Sequence, residues 1–253
     1  MKITRKDFLR LSGFSLIAAG AMRALRAAGK GTATTNSTGN PVRWGMVVDL
    51  KKCREADGCN ACIRACNAAH NIPQIADRAH EVKWIWTELF AKVFPFAPAS
   101  YSPDSETCGR VALMCNHCAN PPCTRVCPTQ ATWKREDGIV MMDWHRCIGC
   151  RYCIAACPYG SRSFNWQDPR PAIATINPDF PTRTKGVVEK CNFCEERLAR
   201  GERPACVDAC PQGVFIFGNL NDPNSDPRQA LRARFALQRE PELGTSPSVY
   251  YLV

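Results

Sequence analysis

Long apolar runs are missing from this sequence. No stretch approaches 18 uninterrupted apolar residues, and the longest uncharged segment near the start, Leu11 to Met22, has 12. A bilayer crossing needs about 20, so the chain is expected not to cross a membrane by itself, and any membrane association falls to partner subunits. Histidine is scarce, with His70, His80, His117 and His145 alone in 253 residues. These four read as structural groups or neighbours of ligands rather than as ligands. The C-x-x-C-H haem attachment is absent: Ile63, Ala119, Arg151, Ile154 and Glu195 follow the C-x2-C pairs, which excludes covalently bound haem. Basic runs are also lacking beyond the N-terminus. Of the formal charge of +10, residues 1–30 carry +6 and the other 223 only +4, a mixed-sign surface that argues against nucleic-acid binding. Ordinary packing material is thin as well. Hydrophobic residues make up 45%, but with the 17 cysteines set aside roughly 38% remains, below the usual share. The length suits one or two domains, and something besides aliphatic burial is expected to hold them together.

The first 30 residues have a basic opening, an uncharged stretch and small residues at Ala24, Ala27 and Ala28, the layout of an export signal. Thr4-Arg5-Lys6-Asp7-Phe8-Leu9-Arg10 resembles the twin-arginine signal, with Lys6 where the second arginine stands. The resemblance implies export of a folded protein to the periplasm or the outer face of the cytoplasmic membrane; a retained amphipathic helix is the alternative.

The cysteines are what the sequence has in excess. Sixteen fall into four groups: Cys53, Cys59, Cys62, Cys66; Cys115, Cys118, Cys123, Cys127; Cys147, Cys150, Cys153, Cys157; and Cys191, Cys194, Cys206, Cys210. Cys108 is left over. The odd total rules out complete disulfide pairing within the chain, and C-x2-C neighbours form strained, labile bridges. Zinc prefers two separated arms, whereas three thiols within seven residues crowd one ion. The third group, C-x2-C-x2-C-x3-C followed by Pro158, matches the bacterial ferredoxin run, in which the fourth cysteine serves the neighbouring [4Fe-4S] cluster. Groups therefore work in pairs, and four groups predict four [4Fe-4S] clusters.

The same phrase recurs along the chain, as expected of duplication. Val47–Cys53, Val140–Cys147 and Gly186–Cys191 each lead a β-rich stretch into a cysteine loop, and strands are expected after the cysteines at Ala131–Lys134 and Val214–Phe217. Helices are expected at Ile63–His70, Ile148–Ala156 and Asp226–Leu237, and a terminal strand at Ser248–Val253. The fold class that follows is α+β: two ferredoxin-like modules, each built around a pair of [4Fe-4S] clusters, with long loop insertions. The proposed boundary of the signal is 1–30. Residues 71–107 and 165–185, rich in proline, read as surface loops or hairpin arms, and 219–253 as a C-terminal extension. Trp84, Trp86, Phe90, Phe94 and Phe96 read as local core within the first insert.

The four groups, with Cys115-Asn116-His117-Cys118, Pro121-Pro122-Cys123 and Cys147-Ile148-Gly149-Cys150, resemble the four-cluster electron-transfer subunits of exported molybdopterin oxidoreductases and of complexes with an NrfD-like membrane quinone subunit (DmsB, PsrB and NrfC types). Within that family the signal and the ending Gly244–Tyr251 are most similar to the O-type subunits of Dsr complexes linked to sulfite reductase. The resemblance implies that groups one and four form module one, 43–70 plus 186–218, and groups two and three module two, 108–164. It further implies four ligand sets: Cys53, Cys59, Cys62 and Cys210; Cys115, Cys118, Cys123 and Cys157; Cys147, Cys150, Cys153 and Cys127; and Cys191, Cys194, Cys206 and Cys66. Group one departs from the family pattern before Cys59 and in having Asn67 after Cys66. A cubane with four thiolates exchanges one electron and offers no open iron site, so the implied role is a relay without a catalytic site of its own. The implied partners are a quinone-interacting NrfD-like membrane subunit and a multihaem cytochrome c or sulfur-linked protein, with a molybdopterin reductase as the alternative. Lys52, Arg146, Arg151, Lys190 and Arg197 are candidates for cations that raise potentials, or are simply solvated.

Overall fold

The run Trp-Gly-Met-Val-Val-Asp forms β1 (Trp44–Asp49), and Met46, Val47 and Val48 are all fully buried. A strand buried on both faces suits such a continuous apolar run. In the computed structural model, which describes residues 41–54, 58–95 and 109–253, β1 lies inside a four-stranded sheet. It pairs antiparallel with β8 (Phe215–Asn219), from Trp44↔Asn219 to Val48↔Phe215. On its other side it pairs parallel with β10 (Val249–Leu252), from Met46↔Val249 to Asp49↔Leu252. The short β9 (Ala236–Leu237) closes the edge. Gly45 sits where a side chain would strike Leu220 and, at 2.8 Å, the Ser248 carbonyl. The C-terminal extension is therefore part of this sheet.

Asp49 ends β1 by accepting the amides of Lys51 and Lys52 at 3.1 and 3.3 Å, and α1 (Leu50–Arg54) follows directly. Its carboxyl is held below its ordinary value: burial pushes it up, but the Arg234 ion pair and the two amides outweigh that. Cys53 thus stands on a helix, not on the loop expected after the β-rich stretch. The alanine-rich α2 (Ala61–Ala69) has high helix propensity. It ends at Asn71, left-handed at φ 52, where the Ile72 amide reaches back to the Asn67 carbonyl at 3.0 Å, a helix stop of the Schellman kind.

The first insert is a hairpin arm rather than a surface loop. Its strand β2 (Ile85–Leu89) leads into α3 (Phe90–Val93) and pairs antiparallel with β3 (Arg110–Met114), which delivers the chain to Cys115. Trp84, Phe90 and Phe94 are buried in the main core, with Phe94 edge-on to Tyr251 at 5.3 Å, and Trp86 is half-buried; Phe96 and Cys108 lie outside the described residues. Next come α4 (Pro122–Arg125), β4 (Thr132–Lys134) paired with β5 (Val140–Met142), and α5 (Tyr152–Ala155). Helix α5 is shorter than the expected Ile148–Ala156, because Gly149 and Arg151 take φ of 71 and 63, outside the helical region. A second hairpin-like pair joins β6 (Ser163–Phe164) to β7 (Val188–Glu189). The helices α6 (Glu195–Leu198) and α7 (Ala205–Asp208) precede β8, and α8 (Asp226–Ala233) follows it with a proline in its first turn. That helix stops short of the expected Leu237, where the chain turns into β9. The described residues fall in one unit, and one core cluster runs from Met46 through Trp84, Val111, Phe180 and Phe193 to Tyr251.

The second insert also enters this core. Phe180 and Arg183 are buried, and Arg183 pairs with Glu189 at 2.7 Å with neither side chain exposed. Arg183 further donates to the Asn71 and Pro181 carbonyls, each at 2.9 Å, and its guanidinium lies over Trp84, Trp144 and Phe180 at 5.5–5.8 Å. Trp84 Nε1 donates to Glu189 at 3.1 Å. Removing one member of such a pair strands a buried charge. Glu189→Gln is expected to cost about 3–5 kcal/mol and to lower the melting temperature by roughly 6–20 °C. Arg183→Met combined with Glu189→Gln should regain part of that loss in the same melting experiment; equal or greater loss in the double variant would contradict the network.

Candidate metal centre

The cysteine loops repeat one backbone device. In three groups the residue before the second cysteine takes a positive φ: His117 at 41, Gly149 at 71 and Phe193 at 58. Non-glycine residues hold this conformation only when their surroundings fix it. The turn directs amides inward, as in an anion-binding nest. In one such turn the Phe193 amide points to Cys191 Sγ; elsewhere the Ala205 amide points to Cys194 Sγ and the Val214 amide to Cys210 Sγ, each at 3.4 Å. The group with Cys59 and Cys62 differs, since there the C-x2-C pair opens α2.

All sixteen described cysteines are free thiols, and the fold gathers them four by four. Cys62 has Cys53, Cys210 and Cys59 as charged neighbours; burial first, and those three thiols next, push it up to about 11. Cys66, at the far end of α2, faces Cys191, Cys194 and Cys206 and is pushed well up by complete burial. Cys118 is raised to about 12 by burial and by Cys115, Cys123 and Cys157. These last four line one cavity with about 320 Å³ of unfilled space, partly open to solvent, alongside Pro121, Pro158 and Arg162. Cys127, Cys147, Cys150 and Cys153 line a second of about 270 Å³. Electrostatic proximity links the four sets in succession. Cys62 acts on Cys66 and Cys206, Cys115 on Cys191, and Cys123 on Cys153.

Two cations are buried among these sulfurs. Lys190 donates to the Val140 carbonyl and, at 2.6 Å, to the Cys191 carbonyl. Arg162 donates to Cys123 Sγ at 3.0 Å and to Thr132 Oγ1 at 2.9 Å. Among the described residues neither forms an ion pair with a carboxylate; the neighbouring sulfurs are those of Cys115, Cys123, Cys153 and Cys191. Buried cations require a counter-charge, and neutral thiols do not supply it. Iron ligation keeps thiolates ionised, so this donor set fits iron–sulfur clusters. Neither cation's burial is evident from spacing. Of the candidate cations Lys190 is buried, whereas Lys52, Arg146 and Arg151 are exposed and Arg197 is half-buried. Arg162 stands five residues after Cys157, where the other copies bury Thr132 and Phe215.

The histidines divide similarly. His70 is buried, with the Cys66 carbonyl at Nδ1 and Glu196 at Nε2, each at 3.0 Å. His117 accepts the Val140 amide at 3.0 Å and stacks on Phe193 at 3.7 Å. Burial first, then Lys190 and Arg162, hold it well below its ordinary value, so it stays neutral. His145 is exposed and His80 half-buried.

Models of the 4Fe-4S dicluster domain match residues 109–172 and 146–214. The Hdr-like menaquinol oxidoreductase iron-sulfur subunit 1 of Archaeoglobus fulgidus is 37% identical over 98% of this chain and 97% of its own length. The chain belongs to the iron–sulfur electron-transfer subunit family with 4Fe-4S dicluster domains. Other members include the menaquinone reductase iron-sulfur cluster-binding subunit of Nitratidesulfovibrio vulgaris, 38% identical over 83% of this chain and 89% of its own. The B subunit of polysulfide reductase from Wolinella succinogenes is 37% identical over 82% and 93%. The ferredoxin-type dicluster fold and [4Fe-4S] cofactors of the family accord with the paired thiol sets. Group one lies outside both matched segments and meets group four, with Cys66 near Cys191, Cys194 and Cys206 and with Cys53 and Cys62 near Cys210.

One backbone position in these loops is directly testable. A side chain on Gly149 would collide with the Gly186 carbonyl, whereas Gly160, also left-handed at φ 62, faces open space. Each alanine substitution costs about 1–2 kcal/mol for the backbone, and Gly149→Ala adds the collision. Its melting temperature is expected to fall clearly further than that of Gly160→Ala; equal falls would mean that the Gly186 contact carries no weight.

Proposed function

We propose that this chain relays single electrons through four [4Fe-4S] clusters in a row. The sets would be Cys53, Cys59, Cys62 and Cys210; Cys191, Cys194, Cys206 and Cys66; Cys115, Cys118, Cys123 and Cys157; and Cys147, Cys150, Cys153 and Cys127. The observation that carries this reading is the burial of Lys190 and Arg162 among thiols with no carboxylate to balance them. When bound, such clusters supply one-electron exchange without an open iron site. The chain's own residues do the rest: sixteen thiolates hold, inward amides soften the charge, and the shared core excludes water between adjacent sets. The halves 43–70 plus 186–218 and 108–164 would act as two modules, one for each pair.

The partners in this reading are a quinone-reactive, NrfD-like membrane subunit on one side and a cytochrome c or sulfur-linked protein on the other, in an exported Dsr-type complex of sulfur metabolism. Support for the quinone side is the likeness to subunits named for menaquinol oxidoreductase and menaquinone reductase. Support for export is the Arg5–Arg10 motif, in residues outside those described. Likeness to the arsenate respiratory reductase iron-sulfur subunit of Shewanella, 36% identical over 83% of this chain, favours a second reading as relay subunit of a molybdopterin-type reductase. A molybdopterin subunit in the complex purified from its source would select the second reading, and a multihaem cytochrome the first.

Iron and sulfide analysis of the anaerobically purified protein is expected to give about sixteen irons per chain, and two or none would reject the relay. Cys150→Ser should remove about four of them. Cys108→Ser should remove none; loss of a cluster from it would overturn the ligand sets.

A further inference from the structure

Lys190 and Arg162 are not equivalent to the surface cations, and they do not serve all four thiol sets equally. Lys190, on the link from β7 to Cys191, faces Cys115 and Cys123 of one set and Cys191 of the next. Arg162, just before β6, faces Cys123 and Cys115 of that same set and Cys153 of the set beyond. One cation therefore stands at each of two successive junctions, and both lie near the set of Cys115, Cys118, Cys123 and Cys157, Arg162 by a direct hydrogen bond to Cys123 Sγ at 3.0 Å. Arg162 also lines that set's cavity. In the set of Cys53, Cys59, Cys62 and Cys210, neither cation is among the leading charges acting on Cys53 or Cys62. Both side chains are almost fully buried, at 1% and 6% exposure, where charge interactions are weakly screened. The two repel one another, and the fold tolerates that next to the same sulfurs.

A fixed cation stabilises whichever redox state carries more negative charge, and its effect falls with distance. Adding one electron to a cluster increases its negative charge by one. We propose that Lys190 and Arg162 make the cluster held by Cys115, Cys118, Cys123 and Cys157 the most easily reduced of the four, the interior resting place of the electron. This rests on the ligand sets of the proposed relay. It makes the row uneven, with an inner low point one step from the outer set of Cys127, Cys147, Cys150 and Cys153. Arg162 and Lys190 are positioning residues here, since they act through the sulfurs and not on a substrate.

The test is an EPR-monitored redox titration of the full, cluster-loaded chain, with iron content measured on each sample. In the unsubstituted protein one signal should titrate above the others. Arg162→Met and Lys190→Met should each lower the reduced-to-oxidised ratio of that signal at least tenfold at fixed potential, equal to 59 mV for one electron. Arg162→Lys should restore it, which a purely structural role would not do. The signal from the set of Cys53, Cys59, Cys62 and Cys210, identified by its loss in Cys59→Ser, should not move. If a methionine variant sheds iron, Arg162→Gln keeps donors for Thr132 without the charge and gives the same reading. Full iron with the highest signal unmoved would overturn this inference while leaving the relay intact. Iron far below four clusters in the unsubstituted protein would instead overturn the relay itself.

Discussion

Sulfur as the counter-charge of a buried interior is the constraint on which the molecule depends. Cys66, Cys115, Cys118, Cys123, Cys153, Cys191, Cys194 and Cys206 are all buried, in positions that another protein of this size fills with leucine or valine. As neutral thiols they would be small, weak packing groups. Lys190 and Arg162 would then be isolated charges in a low-dielectric interior, an arrangement that proteins avoid. As thiolates around iron, the same sulfurs become both the cross-links and the anions. The thin aliphatic content and the two unpaired cations have one explanation.

The same constraint accounts for how the halves of the chain are joined. The β6–β7 pair links Ser163–Phe164 with Val188–Glu189, and the Arg183–Glu189 pair at its end reaches the C-terminus of α2. His117, beside Cys118, stacks on Phe193, beside Cys194. These contacts surround the place where Cys115 approaches Cys191. A row of redox centres needs short gaps, and here the gaps between sets are held by packed aromatic rings and buried hydrogen bonds rather than by surface loops.

Much of this was legible in the sequence, and unevenly so. Cysteine spacing is a local property, and it pointed to the paired loops and to the strands that follow them at Thr132 and Phe215. The helix over Ile63–His70 was visible because alanine and a clear stop at Asn71 act locally. What escaped was whatever depends on distant partners. Residues 165–185 read as a surface loop or hairpin arm from their prolines; that Phe180 and Arg183 are core, packed with Trp84, Trp144 and Glu189, depends on those distant partners. The aromatic insert read as a local cluster, but it joins the main core through Tyr251. The strand at the C-terminus was expected; its place beside β1 was not, since parallel pairing leaves no mark at short range. Arg162 offered the one missed signal: a charge at the position where the repeat elsewhere buries threonine or phenylalanine.

The central claim concerns where iron sits, and anomalous diffraction at the iron absorption edge from crystals of the loaded protein addresses it most directly. The account predicts four iron-rich peaks in a line, the inner two flanking Lys190, with Cys66 and Cys210 exchanged between neighbouring peaks in the first pair and Cys127 and Cys157 in the second. Single-ion peaks, fewer than four, or sulfurs bonded to one another would contradict it.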